Sequence, residues 1–385
     1  GWSNINREAI QNFIICLPNP VFYDTIFSGE AYHTAEWIAL QIIIKMEEIG
    51  IHKFLSVITD TAANIKAAWK IIEEKYPHII CFGCASHVIN LLIGDILKID
   101  AIKSFMDIAK TAVKYFKDHT ISMAKLRRIQ KENYNKEIAL VLPAITRWGT
   151  HLDCIKSLIE SQTAIQQMLF DQSTTSLEIS IKTQLHSDEF WNNLKIIIKI
   201  LQPIVVTLKK FEADNSTIST VYSRFNTILT KIQNVDCDYS AEIQQKVQYR
   251  WNYIYHPIMT IAFILDPNYI EESKNDYESS CLATFANFIS SKFLTEEASR
   301  MYAELLKFRN KQMPYNNELI WNSAIHLNLS TWWSSWPSSE LQKLAIRIFQ
   351  TGVMCIMFNL FMSHDSTLFM LSPETGTALT KSASN

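Results

Sequence analysis

Short apolar runs alternate with amphipathic helical segments over about the first hundred residues of the chain. Two such runs, 9–15 and 21–27, flank Pro18-Asn19-Pro20 and therefore predict a hairpin of two strands. Beyond the hairpin, strands are expected to alternate with helices, which is typical of an α/β fold. The predicted elements are a helix over 35–49 between Thr34 as N-cap and Gly50 as stop, a strand to 59, a helix to about 76, a strand over 78–82 and a helix over 85–97.

Helical periodicity dominates the chain from residue 100 onward. There is no repeat of fixed length, which argues against a solenoid. After residue 363 the periodicity fades and the sequence becomes rich in Ser and Thr, so we expect a frayed, disordered tail over 363–385. The helices predicted before that tail cover 101–117, 122–131, 152–170, 187–211 and 217–233.

Composition supports a folded, helix-rich protein, because 48% of the 385 residues are hydrophobic and only 8 are Gly. No apolar run approaches the ~18–20 residues of a membrane span, and polar residues follow Gly1 where a signal peptide would be apolar. We therefore expect neither a membrane partner nor a secreted protein. The missing initiator Met suggests a fragment or an incomplete gene model. Seven widely spaced cysteines indicate reduced thiols, as in the cytosol or nucleus.

Candidate chemistry begins with Asp60, which ends an apolar run and is followed 24 residues later by Cys84 and His87. Open α/β sheets place their chemistry at the carboxyl ends of strands, so Asp60 is a candidate metal ligand; alternatively it caps the next helix. A spacing of three residues separates His78, Cys81, Cys84 and His87 in turn. These ligand types at that spacing suggest a zinc site. Across a strand-to-helix junction that spacing spreads the side chains widely, so zinc is a minor alternative.

The net charge of −2 gives no global reason to expect nucleic-acid binding, but one stretch is locally basic. Between Lys103 and Glu137 there are nine basic and four acidic residues, an excess of five positive charges that includes Lys125, Arg127 and Arg128. Such an excess suits phosphate contacts. A solvated helix face explains the same pattern equally well, because the acids are interspersed.

Five segments resemble hAT-superfamily transposases and occur in the order of that superfamily. The longest is VITDTAANIKAAWKIIEEKYPHIICFGCASHVINLLIGDI at 57–96; the others are GWSNINREAI at 1–10, TRWGTHLDCIKSLI at 146–159, AFILDPNYI at 262–270 and WWSSWPSSELQKLAIRIF at 332–349. The resemblance implies an α/β fold with a ribonuclease-H-like core and a large all-helical insertion. The implied domains are the core at 1–100, the insertion at 101–320 and a dimerisation-like segment at 321–362 that returns to the core.

The resemblance also implies a DNA-cleaving site in which three carboxylates hold two divalent cations, Mg²⁺ or Mn²⁺. Asp60 corresponds to the second carboxylate and thus to a catalytic metal ligand. The first would directly precede Gly1, and the stretch 351–361, where the third is expected, contains no acid. We therefore expect no stable cation binding and no turnover. Cys84 and His87 match a Cys-x-x-His element with a structural role.

Arg147 and Trp148 resemble the family's Arg-Trp element at the entry to the helical insertion, where an aromatic ring and a guanidinium could stack on an unpaired base or contact a phosphate. A packed Trp beside a surface Arg is an equal alternative. If the chain binds DNA, we expect Arg147, Trp148 and the basic stretch to border the same groove as Asp60. The implied partners are DNA and a second copy of the chain, with no small-molecule substrate.

The sequence leaves three hypotheses of different classes. The chain is a catalytically defective fragment that retains the transposase fold, a domesticated nuclear DNA-binding or interaction protein, or a working transposase truncated by its gene model. Whether it is an enzyme therefore stays open at this point, and the nucleus is the expected location in each case.

Overall fold

A computed structural model describes residues 10–17, 19–144, 149–170, 177–212, 217–274, 278–350 and 365–371. These residues are mostly helical and include a single five-stranded sheet. None of the described helices combines the length and the apolar character needed to cross a membrane. The strands are β1 (Ile10–Leu17), β2 (Asn19–Phe27), β3 (Phe54–Thr59), β4 (Ile80–Gly83) and β5 (Asp365–Leu371).

The helices account for the remaining regular structure, together with four short 3-10 turns. Where a helix was predicted with bounds, up to residue 233, the bounds agree to within a few residues at most ends, whereas α8 and α11 to α17 had no predicted bounds. They are α1 (Ala35–Ile49), α2 (Ala63–Lys75), α3 (Ala85–Ile96), α4 (Asp100–Asp118), α5 (Thr120–Tyr134), α6 (Thr150–Glu160), α7 (Gln162–Phe170), α8 (Ile179–His186), α9 (Asp188–Phe211), α10 (Ile218–Gln233), α11 (Ser240–Ile254), α12 (Pro257–Leu265), α13 (Glu278–Lys292), α14 (Thr295–Arg309), α15 (Glu318–Asn322), α16 (Leu329–Ser334) and α17 (Glu340–Gln350).

The first helix, α1, forms as its sequence predicts. The backbone N–H of Trp37 donates to the Thr34 hydroxyl at 3.2 Å, which satisfies one of the free donors of the first turn. The helix stops at Gly50, whose φ of 111° is unfavourable for residues with a side chain. Its apolar face packs with α2 against the sheet, in a core built from Phe13, Ile42, Val57 and Ile72 among others.

The sheet has the order β2-β1-β5-β3-β4 and is mixed in direction. The antiparallel pairing of β1 with β2 confirms the predicted hairpin, with a register shift between Phe13 and Ile14. Strands β3 and β4 pair in parallel across the α2 connection. Between them and the hairpin lies β5, parallel to β1 and antiparallel to β3. Strands β2 and β4 are therefore the edges.

Two predicted segments differ from the structure. The tail over 363–385, expected to be disordered, contains β5, because its run Leu368-Phe369-Met370-Leu371 is apolar enough to join a sheet. The predicted helix over 152–170 is broken at Ser161 into α6 and α7. The buried Ser161 hydroxyl donates to the Ser157 carbonyl at 2.8 Å and accepts from Gln130, so its side chain competes with regular helix geometry.

Contacts divide the chain into two compact units. One contains the sheet and comprises 1–88, 210–226 and 251–385; the other comprises 89–209 and 227–250 and is helical in its described part. Residues 251–320, assigned from sequence to the insertion, thus cluster with the sheet. The domain boundaries inferred from the resemblance stay predictions.

Candidate functional site

Asp60 lies immediately after β3, at the carboxyl end of a strand whose six residues are all buried. Its side chain is partly exposed, and its Oδ1 accepts the backbone N–H of Ala62 at 3.1 Å. This bond, from a side chain to the backbone two residues ahead, holds the turn that leads into α2, whose N-cap is Ala62 and has no side-chain capping bond. Asp60 is therefore a turn residue two positions before the N-cap of α2, at the carboxyl end of β3, and its role as a metal ligand stays a prediction.

The residues around Asp60 hold its loop in place. The Trp69 indole N–H donates to the Thr59 hydroxyl at 3.0 Å, and that hydroxyl donates to the Asp60 carbonyl at 2.8 Å. On the other side, the Asn64 amide donates to the His33 carbonyl at 2.8 Å. Strand end, loop and first turn of α2 are thus joined by side-chain hydrogen bonds.

Gly83, at the end of β4, closes against the same loop. The neighbouring Cys84 N–H donates to the Thr59 carbonyl at 2.8 Å, which extends the pairing of β3 with β4. A Cβ at Gly83 would lie 2.1 Å from Cγ2 of the buried Thr61. Because real Cβ contacts are never that short, the loop requires glycine here for steric reasons.

Lys66 and Tyr253 were not singled out from the sequence, yet they fasten the Asp60 loop. The Lys66 ammonium lies 3.4 Å from the Tyr253 ring centroid and also donates to the Tyr253 carbonyl. The Tyr253 hydroxyl donates to the Thr61 carbonyl. Burial lowers the pKa of Lys66. With 187 residues between Lys66 and Tyr253, no local sequence pattern indicates the contact.

Cys84 is fully buried where α3 begins, and His87 is partly buried one turn later. The other residues of the suggested zinc set have different surroundings. The Cys81 backbone N–H donates to Glu73, burial raises the pKa of the Cys81 thiol, and His78 Nε2 lies 3.3 Å from the Ile51 carbonyl. Within the described part of the chain, no three His, Cys, Asp or Glu side chains are grouped to hold a metal ion. The zinc alternative gains no support.

The same finding bears on Mg²⁺ and Mn²⁺, the cations that the transposase resemblance implies. Two-metal chemistry needs several carboxylates to converge on the ions. Among the residues that the structure describes, Asp60 belongs to no such group. These residues do not fit a divalent-cation pair.

The basic stretch forms one surface of α4. Lys103, Lys110, Lys114 and Lys117 recur at intervals of seven, four and three residues, so they share one side of the helix. Three of them are exposed and Lys110 is partly exposed, while the opposite side of α4 is buried. We call these four residues the α4 lysine stripe. It spans about 21 Å at the ~1.5 Å rise per helical residue.

The next helix, α5, carries Arg127 and Arg128 exposed and Lys125 partly exposed. Arg128 pairs with Glu132 at 2.7 Å, and Arg127 lies 3.7 Å from Glu137. Exposed pairs of this kind contribute only ~0–1 kcal/mol, so either guanidinium can exchange its carboxylate for a phosphate at little cost.

The Arg-Trp element and the tryptophans of the predicted dimerisation-like segment remain to be located. Arg147 and Trp148 lie outside the described residues. The tryptophans near the dimerisation-like segment are buried: the Trp332 indole donates to the Ile320 carbonyl at 2.6 Å, and Trp333 donates to Leu265 at 3.1 Å. Trp332 and Trp333 are therefore core anchors of their unit.

Asp266, within the AFILDPNYI segment, is a second notable carboxylate. It is 1% exposed and accepts hydrogen bonds from the Ser219 hydroxyl at 2.5 Å and the Asn268 backbone N–H at 2.9 Å. Burial raises its pKa to about 6, although these bonds act in the opposite direction. The sequence marked the segment by resemblance but gave no sign that its aspartate is buried.

Comparison with known proteins finds two family models. Residues 1–112 match a domain of unknown function (DUF659), and residues 82–200 match the ZBED1 RNase-like helical domain. The human zinc finger BED domain-containing protein 4 is 20% identical over 238 residues, which cover 58% of this chain and 19% of that protein. The chain thus corresponds to about a fifth of this relative.

These matches identify the chain as similar to transposase-derived proteins. They are consistent with the hAT-superfamily resemblance that the five sequence motifs carry.

Proposed function

We propose that this chain is a transposase-derived, DNA-binding protein that does not cleave DNA. The observation that carries the proposal is the α4 lysine stripe, in which Lys103, Lys114 and Lys117 are exposed along one side of the helix while Lys110 pairs with Asp107 at 3.3 Å. Lysines spaced along a helix suit contacts with successive phosphates, which give affinity without reading sequence. Lys125, Arg127 and Arg128 would extend that surface.

The proposed lack of cleavage rests on the carboxylates. The position of Asp60 at the carboxyl end of β3 is the observation that favours an active transposase as the second candidate. However, the described residues form no group of three metal-binding side chains that includes Asp60, and the stretch 351–361 has no acid in its sequence. The retained role would then be DNA binding in the nucleus. If the chain does not bind DNA, a domesticated interaction protein is the remaining alternative.

We infer in addition that the sheet descends from a ribonuclease-H-like core. Support comes from the antiparallel hairpin β1–β2, followed in the chain by the parallel pair β3–β4 with Asp60 at its carboxyl end. Self-association is a further proposal that follows from the resemblance.

A salt titration of duplex DNA binding tests the proposal. For the full 385-residue chain we expect affinity to fall steeply with salt, because phosphate contacts release counterions. Replacing Lys103, Lys114 and Lys117 with Ala should weaken binding at least ~10-fold and reduce the log–log salt slope by about 2–3. Fluorescence anisotropy with a labelled duplex measures both quantities.

The matched control replaces three exposed lysines of other helices, Lys292, Lys307 and Lys343, with Ala. It removes the same charge, so it reports the effect of net charge alone. Equal losses in the two triple variants, or an unchanged salt slope in the stripe variant, would show that the stripe is not the DNA surface.

Nicking of supercoiled DNA in Mg²⁺ or Mn²⁺ tests the catalytic half of the proposal. We expect no nicking by the purified chain. Nicking that disappears in Asp60→Asn would instead establish the active transposase and refute the non-cleaving role.

A further inference from the structure

One acid interrupts the α4 lysine stripe. Asp107 is the single acidic residue between Lys103 and Lys117 in the sequence. It follows Lys103 by four residues and precedes Lys110 by three, and residues at these intervals lie on the same side of a helix. Asp107 is exposed, like Lys103 before it and Lys114 after it. The proposed DNA surface therefore contains a negative charge within its row of lysines.

Asp107 holds one lysine of the stripe. The Lys110 ammonium donates a hydrogen bond to Asp107 Oδ1 at 3.3 Å. The other stripe lysines, Lys103, Lys114 and Lys117, form no ion pair with any residue that the structure describes. In the Asp107–Lys110 pair, 55% of the Asp107 side chain and 38% of the Lys110 side chain remain exposed. The pair is thus a surface pair that an approaching ligand can reach.

Electrostatics predicts that Asp107 lowers the affinity of the stripe for phosphates in either of two arrangements. If the pair stays formed, the charge of Lys110 is largely neutralised and contributes little to counterion release. If Lys110 leaves Asp107 for a phosphate, a carboxylate is left facing the DNA backbone, and like charges repel. Exposed pairs are weak enough for both arrangements to be populated. An uncharged side chain at position 107 would remove both effects.

We propose that Asp107 limits the affinity of the α4 lysine stripe for DNA. The inference rests on the proposed DNA-binding function and adds a residue that sets the strength of that binding. Phosphate contacts carry no sequence information, so a stripe of lysines alone would hold the chain on any DNA. A carboxylate in the row keeps this sequence-independent affinity low, which favours sites that are recognised through other contacts.

Asp107→Asn in the full 385-residue chain tests the proposal. Fluorescence anisotropy with a labelled duplex should show an affinity about 3- to 10-fold higher than that of the wild-type chain at about 100 mM salt. The log–log salt slope should become steeper by up to about 1, because Lys110 gains a phosphate contact. Asp107→Lys should increase both quantities further. Circular dichroism and thermal unfolding verify that the variants are folded.

The double variant Asp107→Asn/Lys110→Ala tests whether Lys110 is the lysine that Asp107 holds back. It should return the salt slope to that of the wild-type chain, whereas Lys110→Ala alone should leave the slope nearly unchanged. A purely structural role of the pair within α4 would change the stability of these variants without changing the salt slope. A slope that stays steep in the double variant would count against the proposal.

The matched control is Glu340→Gln, which removes the same charge from an exposed pair with the same spacing on α17, where Glu340 lies 2.8 Å from Lys343. Its DNA affinity should match that of the wild-type chain within about twofold. Equal gains in Asp107→Asn and Glu340→Gln would overturn the proposal, because they would reflect net charge alone.

Two further outcomes separate this inference from the function on which it rests. Wild-type binding that Asp107→Asn leaves unchanged or weakens would overturn the role of Asp107, although DNA binding itself would stand. Absence of duplex binding in both the wild-type chain and Asp107→Asn would refute the proposed function, and the inference with it.

Discussion

Asp60 and Asp266 share the same local hydrogen-bond pattern but lie in different environments. Each follows an apolar segment, β3 in one case and α12 in the other, and each accepts the backbone N–H two residues ahead. The Asp60 carboxylate is partly exposed and accepts a hydrogen bond from the Ala62 backbone N–H. Asp266 is buried and accepts three hydrogen bonds, from the Ser219 hydroxyl and from the backbone and side chain of Asn268.

The difference lies in burial. A carboxylate removed from water favours its neutral form, which is why the pKa of Asp266 rises to about 6. Asp60, at the open end of a strand, stays in contact with solvent. The same local motif therefore gives a structural carboxylate in one region and one that remains accessible to a ligand in the other.

The largest effect expected concerns the steric support of the Asp60 loop. Gly83→Ala would place a methyl group 2.1 Å from Thr61 Cγ2 and should destabilise the protein by about 3 kcal/mol, because both residues are buried. Chemical denaturation measures this change. A destabilisation well below about 1 kcal/mol would contradict this prediction, because it would mean that the Asp60 loop moves aside for the added methyl group.

The double variant Thr61→Ser/Gly83→Ala is the matched control for this contact. Serine lacks the methyl group that the new Cβ would strike, so the double variant should recover at least half of the lost stability. Thr61→Ser alone gives the cost of the methyl group. Strictly additive losses would show that the two positions do not meet.

The second prediction concerns pH and Asp266. Its folded pKa of about 6 lies above the ordinary value of 3.8, so folding is favoured by its protonated form. That contribution is complete below pH ~4 and is lost as the pH rises through about 6. Asp266→Asn does not titrate and can keep the bonds to Ser219 and Asn268. Relative to wild type, it should gain about 2 kcal/mol of stability between pH 4.5 and 7.5.

Chemical denaturation of the wild-type chain and the Asp266→Asn variant at both pH values provides the measurement. Subtracting the two free energies of unfolding cancels the contribution of groups that titrate in both proteins. His256 is one such group, because burial lowers its pKa to about 4. A stability difference that does not change with pH would show that Asp266 is ionised without penalty.

Much of the fold near Asp60 follows from local sequence. Apolar alternation, the Thr34 cap and the Gly50 stop were sufficient for the hairpin, α1 and β3. The failures were non-local: β5 joins the sheet from a segment that looked like a tail, and Ser161 breaks a helix through bonds to a distant glutamine. Sequence periodicity carries no information about such partners.

The candidate site shows the same limit. Asp60, Cys84 and the basic stretch were apparent from sequence because their residue types and spacing carry meaning. The Lys66–Tyr253 contact and the burial of Asp266 depend on segments far apart in the chain. That the lysines of α4 share one face was implicit in their spacing, but their exposure required the structure.

The smallest effect is expected at Asp60 itself. An Asn side chain can accept the same turn bond as Asp, so Asp60→Asn should change the free energy of unfolding by less than about 0.5 kcal/mol, and Asp60→Ala should cost about 1 kcal/mol through the lost bond to Ala62. Duplex DNA affinity should be unchanged in both variants, because the proposed surface lies on α4 and α5. A loss above about 2 kcal/mol in Asp60→Asn would mean that the negative charge has a partner. The contrast with Asp266 would then disappear, and Asp60 would also be a structural carboxylate.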